Sequence, residues 1–332
     1  MSFLIKPLLS AVAGLLLSAH ALAFQAGWTQ TTVPGPAPIT VVLVYPTEAA
    51  ERTIPMGPFT VHAAINAEPV AKLKGLILLS HGTAGSELGH SSLAEALARS
   101  GYLVASLRHP GDNWQDNSML AKSPERFFDE RPRQASRVID ALLADARWKD
   151  RIASDAKGPR IGAVGHSAGG YTVLALAGAR PDLARIASHC KADRAADPIF
   201  CGMGPQGAAP AAAGPAPDLA DRRVRAVAAL APAAAVLSAD SLAAVRIPTA
   251  LYAGELDRFL VPRFHADWVA MNLPGVQAHR VANAGHFAFM DTPSMAINSP
   301  DGDIGANPAG FDRAAFLKQL APELSAFFDQ SW

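Results

Sequence analysis

The chain has 332 residues, 50% of them apolar and 17% charged, with 29 basic side chains balanced by 29 acidic ones. That composition suits a globular protein with one large core or two smaller ones. A formal net charge of zero with no basic run excludes the electrostatic footprint of a nucleic-acid-binding protein.

In chain order, residues 1–23 carry Lys6, an apolar run from Leu8 to Ala19, and then Ala21-Leu22-Ala23. This is the layout of a secretory signal peptide with cleavage expected after Ala23. The run is too short for a membrane span, which needs roughly 20 apolar residues, so no membrane anchor is expected after cleavage. Residues 24–332 are expected to be one domain, exported to the periplasm or secreted. An oxidising compartment favours pairing of Cys190 with Cys201, the only two cysteines, across the short polar loop CKADRAADPIFC. His189 adjoins Cys190, but no second His/Cys pair stands at a ligand spacing, so no metal is expected.

The segment ITVVLVYPT (39–47) reads as a β-branched strand, and PFTVHAAI (58–65) as its antiparallel neighbour. GLILLSHG (75–82) is a continuous apolar run, as a strand buried on both faces requires. Ser92 and Glu95 fit a capping box that opens a helix over 92–100, with Gly101 as its stop. YLVASL (102–107) is the next strand, and the spacing of Val138, Ile139, Leu142 and Leu143 predicts a helix over 132–147 starting at Pro132. RIGAVGHS is a further strand and SAGGYTVLALAGA a further helix. VRAVAAL (224–230), PTALYAG (248–254) and QAHRVAN (277–283) continue the strands, and 311–328 is a closing helix. Strands alternating with helices predict an α/β fold, with a mostly parallel central sheet, helices on both faces and an antiparallel N-terminal edge.

An irregular insertion is expected at about 181–222, where GMGPQGAAPAAAGPAPD (202–218) has no periodicity. Gly202, Gly204 and Gly207 match the spacing of a dinucleotide fingerprint. They neither leave a strand nor open a helix, and Pro205 sits among them, so no nucleotide cofactor is expected.

Gly165-His166-Ser167-Ala168-Gly169 fits G-x-S-x-G between a strand and a helix. Such a turn needs small flanking residues, exposes the serine hydroxyl, and aims the Ala168 N–H where an oxyanion would form. A serine needs a base within reach and a carboxylate to orient that base. Of the four histidines that follow, His189 adjoins the cysteines, His265 lies in an expected helix and His279 in mid-strand. His286 follows a strand on a loop and is the expected base. Asp257, at the end of PTALYAG-ELD, is the expected acid, with Glu255 as its rival. Thr83, in the Gly-rich loop LLSHGTAG, is expected to offer a second backbone N–H. His81, His109, Trp114, His166 and Phe287 are candidates for lining the pocket, although His81 more naturally shapes its loop.

On VLVYPT, LLSHGTAG, GHSAGG, AGELD and AGHFAF, spread over most of residues 24–332, the chain resembles an α/β-hydrolase. It is most similar to the dienelactone-hydrolase-like group akin to platelet-activating-factor acetylhydrolases. The resemblance implies Ser167, Asp257 and His286 as a triad, with the Thr83 and Ala168 N–H groups as oxyanion donors. It departs from true dienelactone hydrolases, which use a cysteine where this chain has Ser167, so their activity does not carry over. The expected function is a secreted serine hydrolase of small or short-acyl carboxylic esters, needing no cofactor. A lipase or acetylhydrolase, a polyesterase, a peptidase and a non-catalytic binding protein stand as the alternatives.

Overall fold

The computed structural model describes residues 24–203 and 217–332. The expected signal peptide, and the part of the Gly/Pro/Ala-rich stretch that holds Gly204, Pro205 and Gly207, lie outside the described residues. Among the described residues, ten strands form one sheet. They are β1 (Gln25–Val33), β2 (Ile39–Thr47), β3 (Arg52–Met56), β4 (Phe59–Ile65), β5 (Leu76–Ser80), β6 (Leu103–Leu107), β7 (Ile161–His166), β8 (Val224–Leu230), β9 (Thr249–Gly254) and β10 (Gln277–Val281). Their order is β10-β9-β8-β7-β5-β6-β2-β1-β4-β3. The six from β10 to β6 are parallel, while β2 joins β6 antiparallel.

Side chains alternate across this sheet with the strand period of two. Leu76 and Leu78 enter one core cluster, Ile77 and Leu79 the other. The first cluster is closed by α2 (Pro124–Ala144) and α3 (Ala168–Leu176), the second by α1 (Ser91–Arg99) and α7 (Arg313–Ser331). Helices α4 (Leu183–Asp193), α5 (Pro198–Met203) and α6 (Ala266–Asn272) complete the long elements used below. From β5 the chain steps one way to β6 and then returns to β7 on the other side, so connections diverge between β5 and β7. In open α/β sheets the crevice beyond the strand ends at such a point is where ligands bind.

Four expectations need correction. The strand at 59–65 does not pair with β2: β1 lies between them, antiparallel to β2 in an unbroken nine-residue register. Pro132 does not start its helix. That helix starts at Pro124, and Pro132 sits inside it. An internal proline lacks the N–H that should bond the carbonyl four residues back, here that of Phe128. The Tyr171 hydroxyl donates to this carbonyl instead, at 2.8 Å. The capping box is not formed either. His90 is the N-cap of α1 without a side-chain cap, Ser92 turns its N–H and hydroxyl to Asp291, and Glu95 accepts from the His62 N–H. Finally, the insertion is not irregular over 183–203, which holds α4 and α5.

Candidate active site

Ser167 sits between the end of β7 and the start of α3, with φ of +58°. A non-glycine residue in that region is strained and persists only where its surroundings dictate it. Here they do. The Ser167 N–H is held by Leu230 O at 2.9 Å, and its carbonyl accepts from Ala233 N at 3.0 Å. A Cβ on Gly169 would stand 1.9 Å from Ser80 O, and one on Gly165 would stand 2.0 Å from Gly169 O. Only glycine lets β5, β7 and α3 approach this closely. Among the described residues the Ser167 hydroxyl makes no hydrogen bond.

His286 Nδ1 donates to Asp257 Oδ2 at 2.8 Å. The other carboxylate oxygen of Asp257 accepts from Phe259 N at 2.9 Å and Leu260 N at 2.8 Å, so the acid is fixed before it orients the ring. Both side chains are buried, and the ring lies stacked on Phe259 with centroids 4.7 Å apart. Asp257 is thus the carboxylate that reaches His286, while Glu255 accepts from Asn283 N on the surface. The other histidines after Ser167 are engaged elsewhere: His279 stacks on Tyr252, and His189 and His265 share Asp197.

The loop after β5 touches the Ser167 turn: a Cβ on Gly82 would stand 3.0 Å from Ser167 Cβ. Thr83 and Ala168 both border the cavity that Ser167 opens into. Their N–H groups find no acceptor among the described residues. The loop is held from below by Asp112, whose carboxylate accepts from Ala84 N at 2.9 Å and from the Thr83 hydroxyl at 3.3 Å. Asp112 in turn pairs with Arg131, which also bonds His81 O and, at 3.2 Å, Ser80 Oγ. Both members of this ion pair are fully buried.

His81 and His109 belong to the same support and do not line the cavity. His81 Nδ1 donates to Gly82 O at 2.6 Å, leaving Nε2 to accept from His109 N at 3.2 Å. His109 bridges Gln134 Oε1 and Ser80 Oγ. Burial first, then the nearby Arg131 charge, holds the pKa of both rings well below the ordinary histidine value. His166 is also buried away from the cavity; its Nε2 donates to His286 O at 2.9 Å. Burial and the neighbouring His286 lower its pKa strongly. Trp114 is 62% exposed under the Arg108 guanidinium and does not border the cavity either. Phe287 borders a second cleft, of about 930 Å³, together with Asp257 and His286.

The cavity at Ser167 has a volume of about 540 Å³. Leu120, Phe127 and Phe128 line one part of it; Leu183, Ile186, Phe200 and Met203, from α4 and α5, form a second wall. Cys190 and Cys201, joined by a disulfide with Cα atoms 5.4 Å apart, belong to that second wall. Sequence reasoning missed the wall. The apolar positions Leu183 and Ile186 were its available signal, three apart after Asp182, which caps α4 through Ala184 N and Arg185 N.

Residues 76–298 match the model of the alpha/beta hydrolase family. Two cutinases of Thermobifida alba, est1 and est2, are each 33% identical to the chain over 109 residues, which is 33% of this chain and 32% of each cutinase. The chain therefore spans about a third of the length of the curated relatives it matches. Among solved structures, a ferulic acid esterase from Streptomyces cinnamoneus superposes with a TM-score of 0.60 at 19% identity, covering 94% of this chain and 91% of that one. A dienelactone hydrolase from Anabaena variabilis superposes with a TM-score of 0.51 at 16% identity, covering 92% of this chain and 99% of that one. At those identities the structures speak for the fold.

Proposed function

The chain belongs to the alpha/beta hydrolase family, and from that premise we propose that it hydrolyses carboxylic esters, with Ser167 as nucleophile, His286 as base and Asp257 as its orienting acid. The observation that carries this reading is the His286–Asp257 hydrogen bond of 2.8 Å. Asp257 keeps the proton on His286 Nδ1, so Nε2 is the basic nitrogen and takes the Ser167 proton as the hydroxyl attacks. The Thr83 and Ala168 N–H groups receive the charge that develops on the carbonyl oxygen. His286 then returns its proton to the leaving alcohol, and a water molecule, deprotonated by the same ring, releases the acid from Ser167. The buried Arg131–Asp112 pair keeps the Thr83 loop in place throughout.

The relatives named as cutinases support an ester as substrate. The cavity supports an apolar acyl group of small to moderate size, since about 540 Å³ falls in the lower half of the usual range for ligand sites. The Cys190–Cys201 disulfide supports a place outside the reducing cytoplasm. Among the described residues no helix is long and apolar enough to cross a membrane.

Initial rates on p-nitrophenyl esters from acetate upward in acyl length, beside a peptide p-nitroanilide, test the proposal. Turnover of the short and medium esters with none of the anilide is the expected pattern. Turnover of the anilide alone would overturn it in favour of a peptidase.

A further inference from the structure

Asp197 lies between α4 and α5 and is entirely buried, whereas Asp193, the other acid of the polar segment 191–197, is partly exposed. Its Oδ2 accepts from His189 Nε2 at 2.8 Å and from His265 Nε2 at 3.0 Å. The tautomer of His265 is fixed by its surroundings. Its Nδ1 accepts from the Ala234 and Ala235 N–H groups at 3.1 and 3.3 Å, so the ring proton must sit on Nε2, facing the carboxylate. Burying a carboxylate is costly unless it is bonded, and Oδ1 finds no partner among the described residues. The fold bears this cost at a position with no part in the proposed chemistry.

The bonds lead to the site from both ends. At one end, Ala233, next to Ala234, donates its N–H to the carbonyl of Ser167 at 3.0 Å. At the other, His189 precedes Cys190, whose disulfide to Cys201 ties α4 to α5 in the cavity wall. Phe200 packs on the His265 ring, with centroids 4.7 Å apart, and borders the same cavity. Helix α4 has only one buried residue, Leu183, so apolar burial alone holds it weakly. We propose that Asp197 is a positioning residue that registers the α4–α5 wall against the Ser167 turn and thereby sets which acyl groups the cavity accepts. The proposal rests on the ester-hydrolase reading for its consequence, and on hydrogen bonds alone for its latch.

Two variants separate the roles. Asp197→Ala removes both acceptor bonds. Asp197→Asn keeps an oxygen where Oδ2 stands and can still accept from both rings. For Asp197→Ala, KM for p-nitrophenyl benzoate should rise on the order of 10-fold while kcat/KM for p-nitrophenyl acetate, with the smaller acyl group, changes less than about 3-fold. Asp197→Asn should recover most of the benzoate KM. Amide hydrogen exchange on the same samples should quicken over residues 183–203 in Asp197→Ala, with β7 still protected. Parallel loss on both esters, or unchanged exchange over the wall, overturns the proposal. If the wild-type protein cleaves neither ester, the ester-hydrolase reading fails, and the exchange result alone still decides the latch.

Discussion

His166 Nε2 donates to the backbone carbonyl of His286 at 2.9 Å, and the two rings lie 4.8 Å apart. The residue before Ser167 in the chain therefore holds the loop that carries the proposed base, 120 residues away. The side chain next to the serine points away from the cavity and supports the proposed chemistry from behind.

His166→Phe keeps a ring against His286 and Phe289 but removes the donor. Small misplacement of a reacting group can cost on the order of 100-fold in rate. We expect kcat for p-nitrophenyl acetate to fall at least 10-fold with KM within about 2-fold, read by steady-state kinetics. An unchanged kcat would remove His166 from the positioning of His286.

Asp112 carries the charge that balances Arg131 beneath the Thr83 loop. Breaking a buried pair on one side leaves an uncompensated charge and costs about 3–5 kcal/mol. Urea unfolding of Asp112→Asn should show a loss of that size. The double variant with Arg131→Met should recover part of it, because no buried charge then remains unpaired. A loss under about 1 kcal/mol in Asp112→Asn would mean the pair is not desolvated as described.

Burial depresses the pKa of His81, His90, His109, His166 and His265, that of His90 to about 4. These rings stay neutral in the fold where the unfolded chain takes up protons, near pH 6.5. Their contribution to stability is present above that pH and is lost as pH falls below it, since the unfolded state then binds more protons. Glu95, raised to about 7 chiefly by burial, acts in the opposite sense and offsets about one of them. Unfolding free energies from urea titrations between pH 7 and pH 5 should therefore fall more steeply than the roughly 1.4 kcal/mol per pH unit of a single group. A flat profile would contradict the neutral, buried state of these rings.

The parallel strands and the Ser167 turn were legible because their signals are local. β5, β7, β8 and β9 are short apolar runs, and the turn needs glycines that its own neighbours demand. β1 was not legible: QAGWTQTTV has a mixed burial pattern with four outward polar positions, and backbone pairing with β2 makes it a strand. Pro132 misled for a related reason. Its favourable place at a helix start is a local rule, whereas the Tyr171 hydroxyl that makes it tolerable inside the helix comes from α3. The proposed serine, base and acid stand out in the sequence as a pattern, since chain order and strand ends limit the choices, and the His286–Asp257 bond agrees with it. The apolar wall of the cavity and the buried Asp197 were not, because nothing near Asp197 in the chain announces partners at His189 and His265.

The central claim is that Ser167 is an activated nucleophile. Mass-spectrometric mapping of the protein after reaction with a fluorophosphonate probe tests it most directly, with Ser167→Ala and His286→Ala alongside. We expect one adduct, on the peptide that carries Ser167. We also expect none in Ser167→Ala, strongly slowed labelling in His286→Ala, and a loss of ester turnover of roughly 10⁴-fold or more in both variants. An adduct on another residue, or Ser167→Ala hydrolysing p-nitrophenyl acetate at the wild-type rate, would contradict it.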